Sequence, residues 1–148
     1  MKKNKKTVWY IILGIVVIIL IVLGGMSLFK NDKLSCTSKA KDDYRTTNDT
    51  IEIYYQKNVV KKVVQTTKHV FNNKQSLNVF KEYLDESVES IKDTNHVSVS
   101  KNNDNLLYET TTKINVTKLD EKELINLHVS NNLEDLKSIL TANGFECK

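Results

Sequence analysis

Residues 50–71 of this chain, TIEIYYQKNVVKKVVQTTKHVF, decide its fold class. Ile51 and Ile53 alternate with polar or amphipathic neighbours, the period of two expected of a strand with one buried side. The Lys-Asn pair at 57–58 predicts a two-residue turn, because asparagine tolerates a positive φ. Residues 59–71 are rich in β-branched side chains and read as the returning strand. The stretch therefore predicts a β-hairpin, and with it an antiparallel sheet.

The periodicity changes in residues 76–92, where apolar side chains recur at spacings of three and four. The apolar positions are Leu77, Phe80, Leu84, Val88 and Ile91. This spacing predicts an amphipathic helix whose apolar stripe faces the sheet.

Weaker patterns on both sides extend the sheet. Upstream, we predict a short first strand near Cys36 and a turn at residues 47–49. Downstream, residues 97–101 and 106–116 predict a second hairpin across an Asn/Asp turn. The sheet is therefore expected to contain at least two hairpins.

Two further helices are predicted near the C-terminal end. Asp120 caps a short helix, and Asn131 or Asn132 caps a longer one. Gly144 followed by Phe145 predicts a Schellman ending, because glycine accepts the left-handed conformation. The fold class is therefore predicted to be α+β: an antiparallel β-sheet with two or three helices packed on one face, preceded by a single transmembrane helix.

That transmembrane helix is residues 7–29, TVWYIILGIVVIILIVLGGMSLF, which contain no charged side chain. As a helix the segment measures about 34 Å, enough to cross a hydrocarbon core of about 30 Å. Lysines occupy positions 2, 3, 5 and 6, and Trp9 and Tyr10 stand near the start, where amphipathic rings favour the headgroup layer. The positive-inside rule therefore puts the N-terminus in the cytoplasm and the later residues outside.

Cleavage of this segment is the competing interpretation. A secretory signal has a shorter apolar run and an A-x-A-like cleavage site. The apolar run of this chain is longer, and no such site follows it. A lipoprotein signal would end at Cys36, but Lys30, Asp32 and Lys33 separate that cysteine from the apolar run. We therefore predict a single-pass protein of the cell membrane, with the lipid bilayer as the partner of residues 7–29. Its predicted parts are a cytoplasmic basic tail (1–6), the transmembrane helix (7–29), a short linker (30–35) and an extracytoplasmic α+β domain (36–148).

The net charge of +4 comes from the N-terminal end. Residues 1–33 hold six lysines and one aspartate, which leaves 16 basic and 17 acidic residues after them. This balance gives no argument for a nucleic-acid partner, and we predict none. Gly144 is the only glycine after residue 33, which excludes Gly-rich phosphate and dinucleotide loops from that part of the sequence.

Cys36 and Cys147 are the two cysteines of the chain. Outside the membrane such thiols can oxidise and stay oxidised, and two cysteines allow a single pairing, so we predict a disulfide. Two free thiols, or a lipid on Cys36, are the alternatives. A metal site at this pair is not expected, because no further cysteine and no clustered histidine accompany it.

No residue is predicted to be catalytic. His69, His96 and His128 have no metal-ligating partner two to four residues away, and we expect surface or strand-end positions for all three. The sequence contains no H-E-x-x-H, G-x-S-x-G or C-x-x-C motif. We therefore predict no enzyme activity, no cofactor and no bound metal.

Four stretches carry a family resemblance: IEIYYQKNVVKKVVQTT (51–67), LNVFKEYLDESVESI (77–91), INVTKLDEKEL (114–124) and LKSILTANGF (136–145). In pattern and order they resemble the YehR-like lipoprotein family of small bacterial envelope proteins. The resemblance implies an α+β domain with an antiparallel sheet and helices on one face, and it brings no established activity or functional residue. In that family the lipid-modified cysteine directly follows the apolar run, whereas Cys36 is displaced from it here.

Two expectations for function follow. The first is a non-enzymatic domain that binds an envelope protein or supports an assembly at the membrane surface. The alternative is a small-ligand carrier or sensor with a pocket between the helices and the sheet. An apolar cavity with a few converging polar groups would favour the alternative, and a closed, fully packed core with a bare apolar surface patch would favour the first.

Overall fold

The computed structural model describes residues 31–148 of the chain. The predicted cytoplasmic tail and transmembrane helix, residues 1–29, lie outside this part. Within residues 31–148, no helix has both the length and the apolar character needed to cross a bilayer. The first strand begins at Asp32, so the sheet already starts within the predicted linker at 30–35.

Residues 31–148 form one six-stranded sheet and three α-helices, which confirms the α+β class. The strands are β1 (Asp32–Lys41), β2 (Arg45–Gln56), β3 (Val59–Phe71), β4 (Val97–Asp104), β5 (Leu107–Ile114) and β6 (Glu146–Cys147). The helices are α1 (Lys74–Lys92), α2 (Glu121–Asn126) and α3 (Leu133–Ala142), with a 3-10 turn at Val116–Lys118. The strand order is β4-β5-β3-β2-β1-β6, and each of these pairings is antiparallel.

The β2–β3 hairpin forms as its sequence predicts. Lys57 and Asn58 both have positive φ, 49° and 66°, as a type I′ turn requires. This turn matches the twist of the flanking strands, and β2 and β3 pair from end to end except at a bulge, where Lys61 has no partner on β2. The strand order places the hairpin at the centre of the sheet.

Two predicted turns are misplaced. Residues 47–49 lie inside β2 and pair with β3, so the turn predicted there is wrong. The chain reverses earlier, where the Asp42 carboxylate accepts hydrogen bonds of 2.8 Å from the backbone N–H groups of Tyr44 and Arg45. A short polar side chain that binds nearby backbone in this way stabilises a turn. The second hairpin turns later than predicted, because β4 continues through the Asn/Asp run and the reversal lies at Asn105, whose φ is 51°.

Capping residues set where the helices begin. α1 starts two residues before its predicted start, because the Asn73 side chain accepts a hydrogen bond of 2.9 Å from the Ser76 backbone. Asp120 and Glu123 form a capping box at α2, and Asn132 caps α3. Each cap satisfies N–H groups that would otherwise have no partner.

The C-terminal end of α3 is the predicted Schellman motif. The Phe145 N–H donates to the Leu140 carbonyl at 3.0 Å, and the Gly144 N–H donates to the Thr141 carbonyl at 3.1 Å. Gly144 has a φ of +83°, in the left-handed region that favours glycine. The motif ends the helix immediately before β6 begins.

All three helices pack on one face of the sheet, which we call the inner face. Two apolar clusters form there, one under α3 and α2 and the other under α1. Leu124 of α2 packs at the edge of the first cluster. The α3 cluster consists of the buried residues Cys36, Ile51, Ile53, Val60, Val63, Val97, Ile114, Val116, Leu133, Leu136 and Leu140, and the α1 cluster of Phe71, Leu84 and Tyr108.

Cys36 and Cys147 connect β1 to β6. Their sulfur atoms are 1.99 Å apart, the distance of a disulfide bond. Ser35 and Lys148 exchange backbone hydrogen bonds of 3.1 and 2.8 Å, so the neighbouring pair, Cys36 and Cys147, is a non-hydrogen-bonded position. Facing residues approach most closely at such positions. The two cysteines identified in the sequence thus meet at the sheet edge and link segments 111 residues apart.

Candidate functional site

The inner face is apolar at both ends and polar in the middle. Register places Thr47 opposite His69 and Asp49 opposite Thr67, and β5 continues these rows with further threonines. A sheet face under helices is normally apolar, so this run of polar side chains requires an explanation. We call it the polar band; it consists of Thr47, Asp49, Gln65, Thr67, His69, Thr110 and Thr112.

Hydrogen bonds connect the members of the polar band on β2 and β3. The Thr67 hydroxyl donates to Asp49 Oδ1 and accepts a long hydrogen bond of 3.5 Å from Gln65 Nε2. Thr47 Oγ1 lies 2.9 Å from His69 Nδ1. The strands therefore hold these side chains in set orientations, and the hydrogen bonds within residues 31–148 use Nδ1 of His69 and not its second ring nitrogen, Nε2.

His69 is 9% exposed and lies between two aromatic rings of the α1 cluster. Its ring centroid is 6.3 Å from that of Phe71 and 6.5 Å from that of Tyr108. Burial lowers the pKa of His69, and the positive charge of Arg45 lowers it further, against the opposing effect of Asp49 and Asp42. The imidazole is therefore neutral at pH 7.

His69 is buried, so the surface position predicted for it is wrong, and of the two predicted alternatives it takes the one near a strand end, two residues before β3 finishes at Phe71. The side chain points to the inner face, in line with Val63 and Phe71, because residues on β3 alternate between the two faces. That alternation is visible in the sequence and could have identified His69 as an inward residue. His96 and His128 are exposed, as predicted, and have left-handed backbone with φ of 61° and 52°.

A cavity of about 190 Å³ lies between α1 and the polar band. Its floor is formed by Gln65, Thr67, His69, Thr110 and Thr112. Its walls are mostly apolar and come from α1 and β4: Leu84, Ser87, Val88, Ile91 and Val99. We call this cavity the α1 pocket. Apolar walls over a few fixed polar groups are typical of small-molecule sites.

A second, larger depression of about 600 Å³ lies beside α3. Gln65 lines both depressions, so they adjoin on the inner face. The walls of the second depression are largely apolar and include Ile51, Val63, Leu127, Ile139 and Phe145. The two depressions together make an inner-face groove with polar and apolar parts.

Asp85 fastens α1 to the sheet. It accepts hydrogen bonds from the Tyr108 hydroxyl at 2.8 Å and from Lys101 Nζ at 2.7 Å. These two bonds lower the pKa of Asp85, Lys101 having the larger effect. Burial and the hydrogen bond to Asp85 raise the pKa of Tyr108. One wall of the α1 pocket is therefore held by a polar anchor on β4 and β5.

Arg45 stands where the polar band meets the turn before β2. Its Cζ lies 4.6 Å from the Phe80 ring centroid, and its Nε is 3.5 Å from Asp42 Oδ2. Its Nε and Nη1 are buried without a hydrogen-bond partner. The guanidinium therefore makes a cation–π contact with α1 and an ion pair with the turn, and these two contacts leave two of its buried nitrogens without an acceptor.

Thr47 and His69 are the only hydroxyl–imidazole pair that the hydrogen bonds of residues 31–148 include. A hydroxyl nucleophile also needs donors for the developing oxyanion, and these are often backbone N–H groups. Thr47 lies inside a central strand, where the sheet ladder uses the N–H groups. Within residues 31–148, no three His, Cys, Asp or Glu side chains are grouped so that they could hold a metal ion.

Fold and site together define a class of protein: a small α+β domain with one antiparallel sheet, helices on one face and a groove between them. Two solved structures share this fold. The NMR structure of the Escherichia coli YehR protein is similar with a TM-score of 0.56 and 17% identity, over 79% of this chain and 91% of that chain. The NMR structure of a protein from Streptococcus pneumoniae TIGR4 is similar with a TM-score of 0.50 and 15% identity, over 80% of this chain and 85% of that chain.

Sequence comparison adds nothing to these likenesses, because no family model and no curated protein matches the chain. At such low identities the two structures show the fold alone. The resemblance to YehR that the sequence suggested is confirmed at this level.

Proposed function

We propose that the domain is a non-enzymatic binding domain whose inner-face groove holds a small amphipathic molecule. The observation that carries this proposal is the polar band, which interrupts the apolar inner face and supplies, through Gln65, Thr67, His69, Thr110 and Thr112, the floor of the α1 pocket. Polar groups under a helix cost free energy unless they are hydrogen-bonded, and an apolar floor would pack better. A ligand that meets both the polar floor and the apolar walls accounts for their presence.

We further propose that residues 7–29 anchor this domain to the cell membrane, with the N-terminus in the cytoplasm and residues 36–148 outside. The uncharged segment, the lysines before it and the paired cysteines support this location, since disulfides persist mainly in oxidising compartments. Protease treatment of intact cells tests the orientation. Full resistance of residues 36–148 in cells whose interior remains closed would contradict it.

Ligand binding can be tested with a variant that fills the α1 pocket. Ser87 lines the pocket from α1 and is itself exposed, so Ser87→Trp narrows the pocket without altering the α1 cluster. Ser90 is also exposed on α1 but does not line the pocket, which makes Ser90→Trp the matched control. The probes are 2-phenylethylamine, 2-phenylethanol and 3-phenylpropionate, three water-soluble molecules of similar size, titrated by calorimetry into the purified chain.

We expect at least one probe to bind the wild type and Ser90→Trp, and to lose at least tenfold in affinity for Ser87→Trp. Native mass spectrometry of the purified chain should also reveal a co-purifying small molecule that Ser87→Trp lacks. No binding of any probe and no co-purifying molecule would contradict a ligand-binding role.

An assembly role at the membrane surface is the second candidate. The observation that favours it is the exposure of Val79 and Tyr83, 69% and 67%, one turn apart on α1. Cross-linking in the native membrane followed by mass spectrometry would identify a partner of this surface. Cross-links that persist in a Val79→Ser, Tyr83→Ser variant would exclude these residues as the contact.

A further inference from the structure

We propose that the groove recognises an organic cation and that Asp49 holds the charged group of that ligand. The inference rests on the proposed ligand-binding function and adds the chemical class of the ligand. It starts from an unusual carboxylate. Asp49 is half-buried on the inner face, and its hydrogen-bond partner is the hydroxyl of Thr67.

Asp49 takes part in no ion pair among residues 31–148. A carboxylate that is partly removed from water gains from a nearby cation, because screening by solvent and salt is reduced there. Arg45, at the end of the band, is paired with Asp42, and Lys39, which lines the same depression as Asp49, forms no ion pair with it. The ion pairs of the described chain are Lys33–Glu52, Arg45–Asp42, Lys68–Glu109, Lys92–Glu89 and Lys101–Asp85.

The other members of the polar band carry no charge at neutral pH. They are hydroxyl, amide and neutral imidazole groups, so Asp49 supplies the only formal charge of the band. Ser38 lies opposite Asp49 on β1 and Thr67 lies opposite it on β3, which adds two hydroxyl oxygens beside the carboxylate. An ammonium group needs hydrogen-bond acceptors, and this row provides them.

The space beside Asp49 is open. Asp49, Ser38 and Gly144 line a depression of about 440 Å³ at the edge of the sheet, next to the position where β6 begins. Lys39 and Glu146, one side chain of each charge, also line it. Thr67 lies between Asp49 and the α1 pocket, because its hydroxyl donates to Asp49 and the residue also lines that pocket. A ligand under α1 therefore meets the Asp49 carboxylate one hydrogen bond beyond the pocket floor.

The chemistry of the site favours an organic cation over a metal ion or an anion. Metal ions of the Ca²⁺ type need several oxygen ligands with more than one carboxylate among them, and Asp49 is the only carboxylate of the polar band. An anionic ligand would meet repulsion from Asp49. An amine with an apolar body satisfies both the carboxylate and the walls of the α1 pocket.

The test compares the three phenyl probes on the wild type and on Asp49→Asn. This substitution keeps an oxygen acceptor for Thr67 and removes the charge. Asp43→Asn is the matched control. Asp43 is exposed, and its substitution makes the same change in net charge outside the groove. Calorimetry at pH 7 and low salt measures the affinities.

We expect the wild type and Asp43→Asn to bind 2-phenylethylamine at least tenfold more tightly than 2-phenylethanol or 3-phenylpropionate. Asp49→Asn should lose that preference and keep its affinity for the alcohol. Carbon-detected NMR of the wild type provides a readout that needs no variant: the Asp49 carboxyl resonance should move with the amine and not with the alcohol.

Two outcomes would overturn the proposal. One is that the wild type binds the amine and the alcohol with equal affinity and that Ser87→Trp binds neither. This result would support ligand binding in the groove and contradict a preference for cations. The other is a preference for the amine over the alcohol that does not depend on Asp49. It would show itself if Asp49→Asn kept the preference, or if Asp43→Asn lost as much of it as Asp49→Asn. Absence of binding by all three probes, together with no co-purifying molecule, would instead remove the ligand-binding function itself.

Discussion

The two ends of the inner face are closed by different means. At the α3 end, the large α3 cluster packs against two helices, and Cys36 within it is joined to Cys147. At the α1 end, three buried residues make the α1 cluster, and Asp85 adds hydrogen bonds to Tyr108 and Lys101. One end depends on buried apolar area and a covalent bond, and the other on a small cluster and a polar anchor.

This difference indicates where the domain can adjust. Local opening requires least free energy where few buried apolar contacts must be broken. α1 covers the smaller cluster and also forms a wall of the α1 pocket, so we expect α1 rather than α3 to move when a ligand enters. The α3 end then acts as the rigid support of the groove.

The largest expected effect comes from opening the disulfide at the α3 end. In the loop-entropy description a bridge across about 110 residues stabilises by up to about 4–5 kcal/mol, and measured values are typically about 2–4 kcal/mol. Replacing both cysteines, Cys36→Ala with Cys147→Ala, should lower the free energy of unfolding by a similar amount. Urea denaturation of the purified chain measures it.

Reduction of the wild type is the control for packing. A reductant opens the bond but keeps both sulfur atoms, whereas the alanine variant also leaves a void at the fully buried Cys36. Both should therefore be destabilised, the alanine variant slightly more. If neither treatment changes the urea midpoint, the α3 end does not depend on the bond and the contrast between the two ends fails.

The next effect concerns the polar anchor at the α1 end. Asp85→Ala leaves the buried Tyr108 hydroxyl without its acceptor and releases Lys101, which should cost about 1–3 kcal/mol. Tyr108→Phe in the same background removes the unpaired hydroxyl and should recover part of that loss. The neighbouring exposed Glu86 provides the control, since Glu86→Ala should change stability by less than about 0.5 kcal/mol.

Hydrogen exchange locates the loss caused by Asp85→Ala. The amides of α1 should exchange faster in this variant while those of α3 keep their protection. Equal acceleration in both helices would mean that the two ends unfold as one unit.

A smaller effect is expected at Gly144, where α3 passes into β6. A Cβ at this position meets no atom within 4 Å, so the cost of Gly144→Ala arises from the φ of +83° alone. That cost should be about 1 kcal/mol. Gly144→Asn should cost less, because asparagine visits the left-handed region more readily. Thermal unfolding of the two variants measures the difference, and equal stability of alanine and asparagine would argue against a purely conformational origin.

The sequence was sufficient for the features that depend on local pattern. The type I′ turn at Lys57 and Asn58, the amphipathic α1 and the Schellman ending at Gly144 each follow from neighbours in the chain. The turns at 47–49 and 102–105 were misplaced because polar residues there lie in strands whose partners are distant in sequence. Turn propensity cannot outweigh a full set of ladder hydrogen bonds once the sheet has formed.

The candidate site could not be predicted in the same way. The polar band depends on cross-strand register, which brings Asp49 beside Thr67 and Thr47 beside His69. Only the cysteines were identified as a pair in advance, because two cysteines allow one partner each. A threonine or a glutamine carries no such restriction, so its neighbours across a sheet emerge from the fold.

The smallest expected effect is the pH dependence that His69 gives to the region between the two ends. Its pKa is lowered in the folded state by burial and by Arg45, whereas in the unfolded chain it stays near the ordinary value of about 6.5. Below that value the unfolded chain binds a proton that the folded domain does not, so the free energy of unfolding should fall as pH decreases from about 7 towards the folded pKa. Above about 7 the contribution of His69 should be constant.

His69→Asn keeps a polar partner for Thr47 and removes the titrating group, so it should flatten this slope below about pH 7. Urea midpoints of the variant and of the wild type at closely spaced pH values measure the difference. The same pH series on the Asp85→Ala variant tests whether α1 is the adjustable cover of the polar band. If it is, release of α1 should admit water to His69 and raise the pKa of that residue towards its ordinary value. The free energy of unfolding should then depend less steeply on pH. An unchanged slope would mean that α1 does not control the burial of His69, and that the sheet itself keeps this residue neutral.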